Sequence, residues 1–302
     1  MEAPLSQTAT YALAALSALF WGANFNLAAP VLVDMAPMNA AAGRFILAAL
    51  IMAILVAWRG EFPAMIAIAR RHGWRLALVG VVGIAGFNLL FFDAMRTTSA
   101  VNGALIMATN PLLTALLAAL FLGEQLPGRQ IAAIPVALAG VSLVILGGGV
   151  AGGAMDFGLG DLEMMGANLA WAAYNVLARK MTPPGPQLAN TTVMMAAGAL
   201  VLTIAAGLGG SALTLPGPKA GAALLTMAVT GSVLAYLFWS MAITRLGAGR
   251  TALFLNLVPV FAALIATMGG SPPNMAQMGG GAVVITAVIF SMLPPRRRPC
   301  AA

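Results

Sequence analysis

The 302-residue sequence is short of nearly everything a soluble protein shows to water. Charged side chains make up 8% of it, against about a quarter in an ordinary soluble domain. A 30.7 kDa chain cannot cover its surface with so few ions. One water-soluble domain is therefore excluded, as are collagen-like and disordered chains. Cysteine and histidine occur once each, as Cys300 and His72. A single thiol forms no intrachain disulfide, and Cys300 stands one residue short of a prenylation box. No CxxC or HExxH spacing exists, so no metal, cofactor or catalytic residue is expected. The missing GxxxxGK[ST] loop argues against an ATP-driven pump. The one histidine lies in a polar connector, and no Ser–Lys pair lies in an apolar stretch, which argues against an intramembrane hydrolase. The net charge of +7 would suggest nucleic acid in a soluble protein. Here the basic residues fall between apolar segments, and membrane topology accounts for them without a nucleic-acid partner.

What the chain has in excess is apolar length: 61% hydrophobic residues and a mean hydropathy of +0.95. A bilayer-crossing helix needs about 20 such residues. The pattern predicts an all-α polytopic membrane protein with ten spans, at 9–30, 38–58, 74–94, 99–122, 128–148, 162–180, 189–209, 220–243, 249–268 and 275–293. The breaks have physical causes: Asp34 and Pro37, the charged stretch Arg59 to Arg75, Gly123 to Pro127, Gly147 to Asp161, Pro183 to Pro186, and Gly270 to Pro273. With both termini inside, Arg59, Arg70, Arg71, Arg75, Arg129, Arg179, Lys180, Arg245, Arg250 and Arg296 to Arg298 face inward, and only Arg96 and Lys219 face outward. That bias predicts an N-in, C-in protein of a bacterial inner membrane. The Arg296 to Arg298 tail either holds the last helix in register or binds anionic lipid.

The chain also repeats itself. Trp21-Gly-Ala-Asn-Phe-Asn-Leu-Ala resembles Trp171-Ala-Ala-Tyr-Asn-Val-Leu-Ala, and Ala94, Ala100, Ala104, Leu105 and Pro111 fall on Ala242, Ala248, Ala252, Leu253 and Pro259 at an offset of 148. This divides the chain into residues 1–150 and 151–302. Five spans per unit is an odd number, so the second unit is expected upside down relative to the first. Such inverted repeats surround midplane sites in secondary transporters.

The order of these marks resembles the drug/metabolite transporter superfamily of EamA type: Trp in the first span, Gly43-Arg44-Phe45 in the second, Asn110-Pro111 in the fourth, and Leu122-Gly123-Glu124 closing it. The Trp171-Ala-Ala-Tyr174 stretch is most similar to the aromatic amino-acid exporter branch. The second half departs from the pattern, with Gly270-Ser271-Pro272 where Gly-Glu would stand. The resemblance implies two inverted five-helix repeats around a central cavity, with helices one, three, four, six, eight and nine lining it.

Polar groups are costly in lipid, so those within spans should face the protein interior. Trp21 and Asn24 share one helix face, as do Trp171, Tyr174 and Asn175. Asn88, Phe91 and Phe92 form a spaced set on the third span, and their counterparts at the 148 offset on the eighth are Tyr236, Trp239 and Ser240. Asn110 and Asn256 lie next to or near Pro111 and Pro259. Together Trp21, Asn24, Asn88, Phe92, Asn110, Trp171, Tyr174, Asn175, Tyr236, Trp239 and Asn256 form the candidate substrate site. Aromatic faces with a few polar groups suit an amphipathic, ring-bearing ligand. The same rings and amides would equally serve helix packing.

Pro111 and Pro259 each interrupt a ladder, freeing the carbonyls of Met107 and Leu255, and are candidate hinges. Arg44 and Asp93 are the two charges inside spans. Arg44, about 9 Å down its helix, either pairs with Asp93 at the outer mouth or snorkels. Tyr11, Trp58 and Trp74 fall at span ends, as interface residues do.

The expectation is an alternating-access exporter of aromatic or other amphipathic amino acids and related metabolites, acting as a monomer or weak oligomer. Its partners are a small-molecule substrate and membrane lipid. A carrier of another metabolite or drug in the same superfamily is the alternative, with a channel behind it. With Asp93 the sole titratable carboxylate inside the spans, weakly coupled or facilitative export is expected.

Overall fold

The computed structural model describes residues 6–123, 128–148, 158–209, 215–246, 251 and 253–292. Glu124, the linker at 149–157, Arg250, the Arg296 to Arg298 tail and Cys300 lie outside them. The described chain is all helix, in ten runs: α1 (Gln7–Asp34), α2 (Pro37–Trp58), α3 (Phe62–Ala94), α4 (Ala100–Leu122), α5 (Gly128–Gly148), α6 (Leu159–Met181), α7 (Gln187–Leu208), α8 (Pro218–Leu246), α9 (Phe254–Met268) and α10 (Met275–Met292).

Local chemistry sets the ends. Ser6 caps α1 by accepting from the Ala9 amide at 3.1 Å, and Ser99 caps α4 from the Asn102 amide at 3.0 Å. Prolines open α2 and α8, where a missing N–H costs nothing. Gly123 ends α4 with φ 68°, a left-handed turn that glycine tolerates. Asn274 and Gln277 cap α10 reciprocally, at 2.8 and 2.9 Å. Gln277 also donates to Asn102 at 2.8 Å, tying the starts of α10 and α4 together.

Six helices (α1, α2, α3, α4, α7 and α8) are long and apolar enough to cross a membrane, while Phe254–Met268 and Met275–Ala287 are shorter apolar helices. Large apolar side chains such as Leu50, Ile54, Leu120, Phe121, Leu200 and Leu264 stand on the outer surface, more than half exposed. In water these would be a severe cost; against hydrocarbon they cost nothing. The chain is therefore a membrane protein. Trp58 and Trp74 are exposed, and half-exposed Tyr11 stacks on Phe254 at 5.9 Å.

Helix α3 begins earlier than the sequence pattern predicts. The charged stretch Arg70, Arg71 and Arg75 continues the helix as an amphipathic first half from Phe62, because nothing in it breaks a helix and its basic face meets solvent. Packing follows a reciprocal scheme. α1 lies against α8 and α9, and α6 lies against α3 and α4. α2 packs on α7, and α5 packs along α10 more extensively than any other described pair. At the α5–α10 seam Gly140 faces the Gly280 carbonyl and the methyls of Val283 and Val284. Small residues are what let two helices approach this closely.

The ladders of α3 and α8 widen into π turns at Val81–Gly86 and Met227–Leu234. The two segments correspond at the 148-residue offset, and such turns concentrate at functional sites. Each carries a glycine against a side chain of the opposite half: Gly83 against the Tyr174 ring, Gly231 against the Asn24 amide.

Candidate functional site

Rings from four helices, α1, α3, α6 and α8, converge on one centre. Trp21 from α1 meets Trp171 from α6 edge-on at 5.1 Å and Trp239 from α8 at 4.9 Å. Tyr236 stands perpendicular to Trp171 at 5.5 Å. Phe87 from α3 reaches the same indole at 5.4 Å. Tyr174 stacks beneath Trp171 at 4.7 Å. Each such pair adds about 0.5–1.5 kcal/mol beyond its area burial.

Between the rings lies a cavity of about 40 Å³, lined by Trp21, Asn24, Phe25, Arg44, Phe87, Phe91, Met107, Trp171, Tyr236, Leu255 and Val258. That volume has room for water but not for an amino acid. On the far side of Tyr174, a second pocket of about 320 Å³ opens at the Arg179 end of α6, between Tyr174, Ser240, Thr244 and the Pro183–Gly185 turn. The stacked Trp171 and Tyr174 separate the two spaces.

The two central tryptophans of α1 and α6 differ in their bonding. Trp21 Nε1 donates to the Gly231 carbonyl of the α8 π turn at 3.0 Å. Trp171 Nε1, although buried, has no hydrogen-bond partner among the described residues, and neither has Asn24 Oδ1. Both belong to residues that line the central cavity.

Arg44 is buried, at 3% exposure. Its Nε donates to Ser232 Oγ at 2.8 Å and its Nη1 to Asn88 Oδ1 at 3.2 Å. Its guanidinium lies 5.0 Å from the Phe45 ring centroid. Asn88 is held in turn by donating to the Ile84 carbonyl at 2.8 Å. The expected pair of Arg44 with Asp93 does not form, and Arg44 does not snorkel. Asp93 bonds Arg96 at 3.1 Å instead. The reason is axial: Asp93 stands five residues beyond Asn88, about 7.5 Å further along α3.

Of the eleven candidate residues, Trp21, Asn24, Trp171 and Tyr236 line the central cavity. Asn88 lies behind Arg44. Trp239 backs Trp21 and also reaches Asn175 Oδ1, at 3.5 Å. Phe92 is buried against Phe91 at 5.4 Å, outside the cavity. Asn256 is buried near the α9 break, its Oδ1 unpartnered among the described residues, and it too lies outside.

Asn110 and Asn175 belong to a network that ties α4 to α6. Asn110 Nδ2 donates to Asn168 Oδ1 at 2.8 Å and to the Asn168 carbonyl at 3.0 Å. Thr114 and Asn175 donate to Asn110 Oδ1 at 2.9 and 3.2 Å. Asn168 Nδ2 donates to Thr109 Oγ1 at 2.8 Å and to the Ile106 carbonyl at 3.0 Å. Asn168, Thr109, Thr114 and Ser232 were not among the candidates. For Asn168 a signal existed: Asn168, Trp171 and Asn175 are spaced zero, three and seven, on one helical stripe.

The helical ladder changes shortly before each proline. In α4 the regular ladder gives way at Ala108 and Thr109, just before Asn110-Pro111, with the Thr109 amide donating to the Ile106 carbonyl at 3.1 Å. In α9 a tight 3₁₀ turn, Leu253–Asn256, precedes the helix that carries Pro259. At the α4 break the Ile106 carbonyl accepts from Asn168 Nδ2 of α6.

A model of the EamA-like transporter family matches residues 8–146 and, again, 158–293. The uncharacterized transporter YyaM of Bacillus subtilis (strain 168) is 37% identical over 274 residues, covering 90% of this chain and 89% of that one. A probable terminal-alkyne amino-acid exporter of Streptantibioticus cattleyicolor is 26% identical over 227 residues, 74% of each chain. A solved crystal structure aligns with a TM-score of 0.71 at 19% identity, over 95% of this chain and 97% of that one. At that identity the likeness is one of fold.

Proposed function

Since the chain belongs to the EamA-like transporter family, whose members carry small molecules rather than transform them, we propose that it exports amino acids with aromatic or other amphipathic side chains by alternating access. The observation that carries this reading is the ring cluster in which Trp21, Trp171 and Tyr236 line a cavity, backed by Tyr174 and Trp239, with an indole N–H and an amide oxygen on that cavity unpartnered among the described residues. Rings supply apolar contact, and the two polar groups give orientation. The name of the distant relative, a probable terminal-alkyne amino-acid exporter, lends the substrate class support.

Residues 1–150 and 151–302 act as two inverted five-helix repeats, and all ten runs cross the membrane. Support comes from the double family match and from the reciprocal packing, in which exchanging each helix with the one five places on maps α1 against α8 and α9 onto α6 against α3 and α4. Transport then requires the central rings to part, with Pro111 and Pro259 as pivots of α4 and α9.

The test is growth protection against toxic aromatic amino-acid analogues. Trp171→Ala and Trp239→Ala are expected to lose protection at unaltered membrane abundance. Full protection by both variants would return the rings to a packing role.

Both termini face the cytoplasm of a bacterial inner membrane in this reading. Cys300 is the chain's single cysteine, so the native protein carries its own probe. A membrane-impermeant maleimide is expected to label it only after the cells are permeabilised; labelling of intact spheroplasts would reverse the orientation.

A further inference from the structure

We infer that Arg44 is the counter-charge for a ligand carboxylate, so that the central cavity takes a monocarboxylate with an apolar, ring-bearing body. This deepens the export reading and rests on it. The chain has 8 acidic residues, of which Asp34, Glu61, Asp93, Asp161 and Glu163 are described. None of these five pairs with Arg44. Asp34 accepts from the Gly217 amide at 2.8 Å. Asp93 pairs with Arg96 and lies beside Glu163. Asp161 accepts from Thr98 at 2.7 Å, and Glu61 sits at the turn between α2 and α3.

Among the described residues, Arg44 thus has only neutral groups around its buried positive charge: Ser232, Asn88 and the Phe45 ring. Those bonds use two of the five guanidinium donors. A buried cation without an anion is a costly arrangement, and this one lines the central cavity.

Two further atoms make the site specific. Among the described residues, Trp171 Nε1 is an unpartnered donor on the same cavity, and Asn24 Oδ1 is an unpartnered acceptor. A carboxylate offers oxygens to Arg44 and Trp171, and an α-ammonium finds its acceptor on Asn24. One arginine balances one negative charge, which favours a carboxylate over a phosphate dianion. At about 40 Å³ the cavity is too small for such a ligand, so the pairing forms when the rings separate.

The test titrates purified protein in lipid nanodiscs by tryptophan fluorescence with 3-phenylpropionate, L-phenylalanine, phenethylamine and phenyl phosphate. The wild type is expected to bind both carboxylates about tenfold or more tightly than phenethylamine, a difference of about 1.4 kcal/mol. Arg44→Gln is expected to lose that factor for the acids while changing phenethylamine by less than about twofold. Arg44→Lys, which keeps the charge, is expected to retain part of the preference. A wild type without preference for acids overturns the inference even if Arg44→Gln fails to fold. So does an Arg44→Gln protein that keeps the preference. Tighter binding of phenyl phosphate than of either acid overturns the carboxylate assignment. If acids bind through Arg44 while proteoliposomes show no phenylalanine flux, the export reading fails and the anchor stands. If phenylalanine flux is intact in Arg44→Gln, the anchor fails and export stands.

Discussion

Asn168→Ala is expected to destabilise the protein by about 2 kcal/mol. A hydrogen bond between membrane helices contributes about 0.6 kcal/mol on average and at most about 1.7. The Asn168 side chain makes three: it accepts from Asn110 and donates to Thr109 and to the Ile106 carbonyl. All three span α4 and α6, and two of them hold α4 where its own ladder is interrupted. Alanine cannot replace any of them, and the Ile106 carbonyl and Thr109 hydroxyl each lose a donor in a place where water is scarce. The measurement is thermal unfolding of the detergent-solubilised protein, with Leu200→Ala on the outward surface as the reference. Equal melting of the two variants would mean that the network holds nothing.

Two glycine-to-alanine changes in α3 should act in opposite directions. At Gly80 an added methyl would run into the backbone carbonyl of Met194 on α7. A carbonyl within a packed helix cannot swing aside as a side-chain tip can, so α3 and α7 must separate. Gly80→Ala is therefore expected to cost about 1–3 kcal/mol. Gly73 has nothing within 4 Å of the same methyl and lies in the same helix, where alanine is favoured over glycine by up to about 1 kcal/mol. Gly73→Ala is expected to raise the melting temperature and Gly80→Ala to lower it. A shift of the same sign in both would show that the α3–α7 contact is looser than described.

Much of the fold could be read before any coordinates. Apolar length marks the helices, because a backbone in hydrocarbon has few other ways to satisfy its own N–H and C=O groups. Prolines and glycines mark their interruptions. The matched tryptophans and prolines accord with the two separate matches of the family model. Helical spacing also groups Trp171 with Tyr174 and Trp21 with Asn24. Spacing tells which residues share a face but not which neighbour that face meets. Arg44 illustrates the limit: its depth along α2 was legible, yet its partners Ser232 and Asn88 come from helices whose relative height only tertiary packing decides. Asn110 and Asn175 were legible as interior polar groups, while the third member of their network, Asn168, passed unremarked between aliphatic neighbours. The π turns at Gly83 and Gly231 left no sequence signal beyond glycine itself, in a chain with 34 of them. The degree of closure was equally invisible, since whether rings enclose a space or fill it depends on fractions of an ångström in packing.

The α5–α10 seam has a consequence for how such a protein can diversify. Among the described side chains, none from either helix lines the central cavity, yet together they form the most extensive helix pair described. Exchanging one ring for another around the cavity leaves the contact of Gly140 with Gly280 untouched. Drift in selectivity and upkeep of the scaffold thus fall on separate sets of positions, and a lineage can change its cargo without rebuilding the frame.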